Sequence, residues 1–475
     1  MMNSRQRLHY RLQPYSSRSL QMFLLVLATA FLFTVSAASA REEVQSGPGL
    51  DQAVALESFD QVWDQVRAQY FDFQRIEGDW QAAREQLRPK AAEAQDLASL
   101  RAVLQDLLEL IGESHFAVIP SDAYEQLADL SESPASDSPD APPGAPRSAT
   151  GLSVRVVDNV VRVTEVQPDS PAEAAGIAPG WSLVQVDQVE MASVLEELES
   201  IMDPVDRRRS MTLLEYGLLG RVTHTRPERE ILLRLLDTDD QLHEVSLLGS
   251  ATSHGAVQIG NLPPMTFDFG LEQLDTEAGC ISLVRFSSWV PALPEEFRAH
   301  RDEIFACPGL ILDVRGNPGG VLPTMVTLAA DLFQETALLG TLMRSDGHID
   351  FRVMPRRVAM DGTRLTPFPG PIAILIDRMS GSTSEMFAAG MQATGRARLF
   401  GERSAGMALP AQVMPLASGD VLMYAFADYR DSLERRIEGL GAIPDTPVDL
   451  SADVLTQRPS PVIQAALDWL ANEIH

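Results

Sequence analysis

The second half of the chain alternates short apolar runs with helix-like segments, and this alternation limits the possible folds more than any other feature. From about Ala278 onward, the runs CISLVRF, GLILDVR and PIAILID each end in polar or glycine residues, and the last precedes the helical pattern SEMFAAGMQAT. Such runs are typical of strands in a mostly parallel sheet that helices cover on both faces. The sequence therefore predicts an α/β core over residues 251–475, with sites at the carboxyl ends of its strands.

The first of two unusual loops in this region follows the run GLIL and reads DVRGNPGG, from Asp313 to Gly320. A pair of glycines before a helix allows free backbone amides to point outward, as an oxyanion hole requires. A tight turn that closes a strand–helix unit would explain the same residues. The segment by itself leaves both interpretations open.

The second loop, DRMSGSTSEMF, places three serines at the start of a helix. Ser382 and Glu385 form the pattern of a capping box, so Ser382 could serve only to begin the helix. Alternatively, its hydroxyl is a nucleophile at a strand-to-helix turn, and the amide of Thr383 is ready to hold an oxyanion. A serine hydroxyl attacks only when a neighbouring base takes its proton, so this interpretation requires a base elsewhere in the chain.

Residues 1–40 have the order of a secretory signal peptide, in which arginines precede the apolar run MFLLVLATAFLFTVSA and a small-residue site ending at Ala40. We expect cleavage before Arg41, although the run is long enough for an uncleaved membrane anchor. We therefore expect an exported bacterial protein, periplasmic or extracellular. The only two cysteines, Cys280 and Cys307, could form a disulfide there or could both be small core residues.

Between the leader and the α/β core, the composition changes twice. Residues 50–125 carry apolar residues at spacings of three and four, which predicts a helical N-terminal domain. Residues 126–150 include SESPASDSPDAPPGAPRSAT, a proline-rich acidic stretch that predicts a disordered linker.

The charge and the motif content exclude several classes of function. A formal net charge of -28 argues against nucleic acid as a partner, because little in the chain would neutralise phosphates. The sequence has no HExxH motif and no phosphate-binding glycine loop, so we expect neither a metal nor an organic cofactor.

Residues 151–250 resemble a bacterial PDZ domain, most specifically in the stretch SPAEAAGIAPG. The resemblance implies a loop whose backbone amides hold the carboxyl end of a peptide while a strand edge pairs with the peptide backbone. The residues of that loop are Gly151, Leu152, Ser153 and Val154. A helical insertion at residues 204–226 has no role that its sequence indicates.

The two loops, taken together, resemble those of C-terminal processing peptidases and of the tricorn protease core. The matching stretches are LILDVRGNPGG and AILIDRMSGSTSEMFAAGMQATGRARLFGERSAG, and the resemblance extends from Leu56 to Leu470. It implies an α/β fold with a crotonase-like (ClpP/crotonase) β-β-α core and Ser382 as the nucleophile. It also implies that the oxyanion donors are the amide of Thr383 and the pair Gly319–Gly320.

The base of the commoner branch of this family is missing here. That branch carries a lysine in the sequence GKG after a GE turn, whereas this chain reads GERSAGMA and has Met407 at the lysine position. A thioether cannot accept a serine proton at useful strength. The only lysine, Lys90, lies in the N-terminal helical region, so residue identity alone excludes a Ser-Lys dyad.

The tricorn-like branch uses a histidine preceded by a serine, and this chain has Ser114 and His115 at the end of its helical domain. The same branch includes a glutamate near GxxPD, a role that Glu438 in IEGLGAIPD fits. The resemblance therefore implies a relay from Glu438 through Ser114 to His115, which would take the proton of Ser382. An imidazole titrates near neutrality and suits this role.

These observations predict an exported serine endopeptidase that acts through an acyl-enzyme and recruits polypeptides by their carboxyl ends. One alternative is a catalytically inactive protein that binds peptides or apolar ligands on the same fold. A narrower alternative is a hydrolase of small esters or short peptides.

Overall fold

The computed structural model describes residues 50–121, 148–225, 230–251, 256–257, 265–276 and 279–474, and the structural statements below concern these residues. The leader predicted at residues 1–40 and most of the linker predicted at residues 126–150 lie outside them. Among the described residues, no helix is both long and apolar enough to cross a bilayer.

Helices and strands are numbered along the described chain. The helices are α1 Gln52–Gln69, α2 Phe73–Ala92, α3 Leu97–Glu109, α4 Pro171–Ala174, α5 Met191–Glu199, α6 Pro204–Val222, α7 Leu293–Ala299, α8 Arg301–Ile304, α9 Pro323–Ala329, α10 Thr383–Ala393 and α11 Pro461–Glu473, with a 3-10 turn at Ala452–Val454. The strands of the first half are β1 Ala117–Ile119, β2 Ser148–Ala149, β3 Leu152–Val157, β4 Val160–Val166, β5 Ser182–Val186, β6 Val189–Glu190, β7 His224–Thr225, β8 Glu230–Leu236, β9 Leu242–Leu248, β10 Ser250–Ala251, β11 Ala256–Val257 and β12 Met265–Thr266. Those of the second half are β13 Phe269–Thr276, β14 Gly279–Phe286, β15 Gly309–Asp313, β16 Ala337–Arg344, β17 Gly347–Val353, β18 Ile372–Ile376, β19 Arg398–Gly401, β20 Ala411–Pro415, β21 Val421–Ala425, β22 Asp428–Asp431 and β23 Thr446–Pro447.

The central sheet has the strand order β13-β14-β15-β18-β19-β23. Only β13 runs antiparallel to its neighbour, and the other pairs in this order are parallel. Every residue of β15 and β18 is buried, since α9 and α10 cover one face and α11 covers the other. The predicted mixed α/β core is confirmed, and its strands coincide with the apolar runs.

A disulfide joins Cys280, at the start of β14, to Cys307, just before β15. The two cysteines are thus bonded rather than separate core residues. The bridge ties two neighbouring strands of the central sheet at the edge opposite to their carboxyl ends.

The N-terminal helices pack with part of the second half of the chain rather than alone. Trp63 and Trp80 each donate an indole N–H to the other's backbone carbonyl at 3.2 Å, which ties α1 to α2. Strand β1 pairs antiparallel with β21, and Leu422 and Tyr424 of β21 are buried in the same apolar core as the helices. The chain segment after α3 is thereby held against β21.

A second sheet lies between the helical segment and the central sheet in the chain. Its strand order is β3-β4-β5-β8-β9, with β6 paired to β5, and it packs its own apolar core against α5 and α6. Helix α6, which contains most of the insertion noted in the sequence, also contacts the loop that follows β18 of the central sheet. The Thr212 hydroxyl donates to the Arg378 carbonyl at 3.2 Å, and the Tyr216 hydroxyl donates to the Met379 carbonyl at 2.7 Å.

Candidate active site

The two unusual loops lie next to each other at the carboxyl ends of β15 and β18. The buried carboxylate of Asp377 accepts from the amides of Gly316 and Met379, both at 3.0 Å. The amide of Gly381 donates to the carbonyl of Asn317, also at 3.0 Å. These bonds join the loops into one surface, at the sheet edge where the sequence predicted a site.

Ser382 occupies the sharp turn between this loop and α10. Its φ of 49° and ψ of -116° lie outside the regions that non-glycine residues commonly adopt. Its amide donates to the Met407 carbonyl at 3.0 Å and to Glu385 Oε2 at 3.1 Å. Such strain persists only where the surroundings enforce it, and it is concentrated at functional sites.

Glu385 does more than the capping role that the sequence predicted. Its buried carboxylate also accepts from the Ser404 hydroxyl and the Gly406 amide, each at 2.6 Å, and from the Met407 amide at 2.9 Å. Burial raises the pKa of Glu385 to about 7, and these hydrogen bonds act in the opposite direction. Glu385 therefore fixes the segment 404–407 beside Ser382, a role that its position in a capping box did not reveal.

The predicted oxyanion donors lie around Ser382 but are not equivalent. A Cβ added to Gly319 would lie 2.7 Å from the Cβ of Ser382 and 3.0 Å from the amide nitrogen of Thr383, so the three residues are in close contact. The Gly319 amide already donates to Asn317 Oδ1 at 2.9 Å. Among the hydrogen bonds of the described residues, none uses the amide of Gly320 or of Thr383. These two amides are the better candidates for binding an oxyanion.

The contact between Gly319 and Ser382 makes Gly319→Ala a specific test of this geometry. A methyl group there would displace Ser382 and would strain a backbone with φ of 107°. We expect the variant to lose at least tenfold in turnover, because misplacement of a reacting group by about 1 Å can cost on the order of 10²-fold. Turnover and melting temperature of the purified variant would be measured together.

Gly316→Ala is the matched control. Gly316 lies in the same loop with φ of 72°, but nothing lies within 4 Å of an added Cβ. It should lose about 1–2 kcal/mol of stability from backbone strain while keeping most of its turnover. Equal losses of turnover in the two variants would show that loop strain, and not the contact with Ser382, explains the effect.

The structure also brings together the three residues of the predicted relay. The Ser114 hydroxyl lies 2.9 Å from Glu438 Oε2 and 2.7 Å from His115 Nδ1. The Ser114 amide donates to Glu438 Oε1 at 2.9 Å, and the Ala408 amide donates to Oε2 at 2.8 Å. Glu438 is buried, so its carboxylate has little alternative to these partners.

His115 adopts a left-handed backbone conformation, with φ of 62°. Burial lowers the pKa of its imidazole; the Glu438 carboxylate raises it, and the guanidinium of Arg209 lowers it. The lowered pKa favours the neutral imidazole, which is the form that accepts a proton.

Two consecutive residues, Met407 and Ala408, connect Ser382 to the relay through their backbone hydrogen bonds. The amide of Ser382 bonds to the carbonyl of Met407, and the carboxylate of Glu438 bonds to the amide of Ala408. Within the described residues, no hydrogen bond joins the Ser382 hydroxyl to the His115 ring. Such bonds are often long before substrate binds.

Ser382 has a methionine, and not a lysine, beside it. Met407, which stands at the base position of the commoner lysine mechanism, lies directly against the backbone of Ser382. The only lysine of the chain, Lys90, is exposed on α2.

The predicted peptide-binding loop lies at the start of β3, where other groups already contact the strand. The Leu152 amide donates to the Thr150 hydroxyl at 3.2 Å, and its carbonyl accepts from the Thr223 hydroxyl at 2.6 Å. Further along β3, the Val156 amide donates to Glu215 Oε1 at 2.7 Å. A peptide that paired with these backbone groups would have to displace side chains, and peptide binding at this loop stays a prediction.

The described part of the chain contains no group of three or more histidine, cysteine, aspartate or glutamate side chains arranged to hold a metal ion.

Comparisons with known proteins support the interpretation of this chain as a peptidase. Residues 277–448 match peptidase family S41, and residues 52–109 match the tricorn protease C1 domain. A carboxyl-terminal-processing protease of Synechocystis sp. is 25% identical over 69% of this chain and 69% of its own. One of Picosynechococcus sp. is 24% identical over 87% of this chain and 88% of its own. These matches support the C-terminal processing peptidase family.

Solved structures agree with this at the level of the fold. The photosystem II D1 C-terminal processing protease superposes with a TM-score of 0.52 at 20% identity, covering 84% of this chain and 94% of that one. Mature CPAF superposes with a TM-score of 0.53 at 13% identity, covering 85% and 94%. At such identities the likeness shows a shared fold alone.

Proposed function

We propose that this serine peptidase is an endopeptidase whose nucleophile is Ser382 and whose base is His115. The observation that carries the proposal is the hydrogen-bonded series Glu438–Ser114–His115, held against the segment that also bonds to the Ser382 amide. A capping role for Ser382 would not require a buried relay beside it. The strained backbone at both Ser382 and His115 supports the same conclusion.

The relay fixes the tautomer of the base. When the Ser114 hydroxyl donates its hydrogen to Glu438, its oxygen lone pairs accept from the N–H at His115 Nδ1. The lone pair of Nε2 is then free to take a proton. Ser114 and Glu438 thus orient and polarise the imidazole, as a third group does in serine protease triads.

The reaction proceeds in two halves. In acylation, Ser382 Oγ attacks the peptide carbonyl carbon as its proton passes to His115, and the amides of Gly320 and Thr383 hold the oxyanion. The imidazolium returns the proton to the leaving amine, the C–N bond breaks, and an acyl-enzyme remains. In deacylation, water attacks the ester while His115 takes its proton, and the carboxyl product leaves as Ser382 regains a hydrogen.

The proposal extends to the substrate and its compartment. The PDZ resemblance of residues 151–250 supports recruitment of polypeptides by their carboxyl ends, with a crotonase-like core performing the cleavage. The disulfide between Cys280 and Cys307 supports an oxidising, exported setting, because such bonds persist outside the reducing cytosol.

Labelling with a fluorophosphonate probe tests the chemistry without knowledge of the substrate. The purified wild type should label covalently when folded, whereas Ser382→Ala and His115→Ala should not. Ser246→Ala, which removes an exposed hydroxyl on β9, is the control and should label like the wild type.

Each outcome separates the proposal from its rival. Labelling of the wild type and the control alone supports the serine peptidase with a histidine base. Labelling that persists in His115→Ala would leave the nucleophile but would remove the proposed base. A folded wild type that binds peptide and does not label would instead be a catalytically inactive binding protein.

A further inference from the structure

Helix α6 extends from the second sheet to the corner of the active site that contains Glu438. It begins at Pro204, where the Asp203 side chain caps its first amides at 2.8 and 3.0 Å. Two consecutive arginines of its second turn point at this corner. Arg208 donates to the carbonyl of Gly439, the residue after Glu438. The insertion whose sequence indicated no role therefore contacts the relay.

Arg209 makes the more direct contact. Its Nη2 donates to Glu438 Oε1 at 2.7 Å, and its Nη1 donates to the Gly112 carbonyl at 3.3 Å. Gly112 lies two residues before Ser114, so a single guanidinium spans the carboxylate and the turn that carries the other two relay residues. The Arg209 and Glu438 side chains are only 15% and 1% exposed, so solvent screens the pair poorly.

Among the described residues, Arg209 is the one cation in an ion pair with Glu438. Each oxygen of this carboxylate has two donors, and Arg209 supplies one of the two on Oε1 while Oε2 is left to the Ser114 hydroxyl and the Ala408 amide. A buried carboxylate that lost its counter-charge would tend to rotate or to bind a proton, or water would enter the site around it.

We propose that Arg209 is a positioning residue of the active site, which holds Glu438 and the turn at Gly112 so that Ser114 and His115 keep their orientation. This inference rests on the proposed function, because it assigns a residue to the same relay. It also gives the second sheet a part in catalysis that does not depend on peptide binding, since α6 belongs to that sheet's core.

Arg209 has an electrostatic effect on the base as well as a geometric one. Its positive charge disfavours the imidazolium and lowers the pKa of His115, opposing Glu438. The other charged groups that surround the relay are Glu113 with its partners Arg75 and Arg436, Asp428 with its partners Arg436 and Arg430, Arg208, and Glu385 across the segment 404–407. Loss of Arg209 alone should therefore raise the pKa of His115.

The test measures the second-order rate of fluorophosphonate labelling as a function of pH for the wild type, Arg209→Gln and Arg209→Lys. The Gln variant should label about tenfold to a hundredfold more slowly at its optimum. The acid limb of its pH–rate profile, where the labelling rate falls as the pH is lowered, should move to higher pH. The reason is that His115 with a raised pKa stays protonated up to a higher pH. The Lys variant keeps the charge but loses the two-pronged contact, so its limb should stay at the wild-type position while its rate falls several-fold.

Arg207→Gln is the matched control, because Arg207 lies next to these residues on α6 but is exposed and donates to the Ile201 carbonyl. It should label like the wild type. A slower Gln variant whose limb does not move, with a Lys variant equally impaired, would show a purely structural role and would overturn the proposal.

Two further outcomes are distinguishable. Should Arg209→Gln fail to fold, Arg209→Lys decides the question. If the Lys variant labelled at the full wild-type rate, the positioning role would be refuted. If the acid limb of its pH–rate profile were shifted from that of the wild type, the effect of the Arg209 charge would be refuted. A folded wild type that is not labelled at Ser382 would remove the proposed function and this inference together, whereas a labelled wild type with an unchanged Gln variant would remove this inference alone.

Discussion

His115→Ala should lower the turnover of a peptide substrate by a factor of about 10⁴ or more, with little change in stability. The expectation follows from the position of the ring, whose Nδ1 is held by Ser114 and whose Nε2 is left to accept the Ser382 proton. Without it, the segment beside Ser382 offers the thioether of Met407 and no lysine. The nearby carboxylate of Glu385 already accepts four hydrogen bonds, so it is a poor substitute for the imidazole. Steady-state kinetics on an unstructured polypeptide would give the ratio.

The comparison needs a second histidine and a smaller perturbation of the same ring. His348→Ala removes an exposed imidazole on β17 and should leave turnover unchanged. Ser114→Ala should cost less than His115→Ala, because it removes an orienting group and not the base itself. A His115→Ala enzyme with more than a tenth of wild-type turnover would show that another group takes the Ser382 proton.

The sequence predicted those parts of the structure that depend on neighbouring residues. The apolar runs that became β14, β15 and β18 are local, and burial of both sheet faces leaves such runs little alternative. The sharp turn at Ser382 was predicted for the same reason, because a strand, a small-residue turn and a helix follow one another within a few positions.

The parts that the sequence could not predict depend on distant residues. The meeting of His115 with Glu438 was implied only by resemblance, since no local pattern joins a turn after α3 to a loop before β23. Arg209 was not predicted at all, because arginines in an acidic protein usually form a solvated face. Its role requires α6 to pack against the loop that carries Glu438. Glu385 was seen as a helix cap because the amides of segment 404–407 are far away in the chain.

The contact between the second sheet and the active site is largely ionic and buried. Arg155 of β3 donates to Glu215 of α6 and to Glu402, each at 3.1 Å, and to Asp377. Arg378 of the loop before Ser382 also bonds to Glu215, at 2.7 and 2.9 Å. Because Asp377 fixes the amides of both active-site loops, this cluster connects the second sheet to the two loops.

Arg155→Met should therefore destabilise the protein by about 3–5 kcal/mol, because it removes a counter-charge from the buried carboxylates of Asp377 and Glu215 and from the partly buried Glu402. It should also reduce turnover, since Asp377 would no longer be held at the junction of the loops that carry Gly316 and Met379. Urea unfolding would give the change in the free energy of unfolding. The rate of fluorophosphonate labelling at Ser382, at urea concentrations below the unfolding transition, would show whether the two active-site loops keep their arrangement.

Arg162→Met provides the control for loss of an arginine from the same sheet. Arg162 lies on β4, is half-buried, and donates to the Gly180 carbonyl and the Ser182 hydroxyl; within the described residues it forms no ion pair. It should cost about 1 kcal/mol, the typical contribution of such hydrogen bonds, and should leave labelling intact. If Arg155→Met unfolded at the same urea concentration as Arg162→Met, the cluster would contribute no more than ordinary hydrogen bonds. If it were less stable but labelled at the wild-type rate, the second sheet would stabilise the fold without positioning the loops around Ser382.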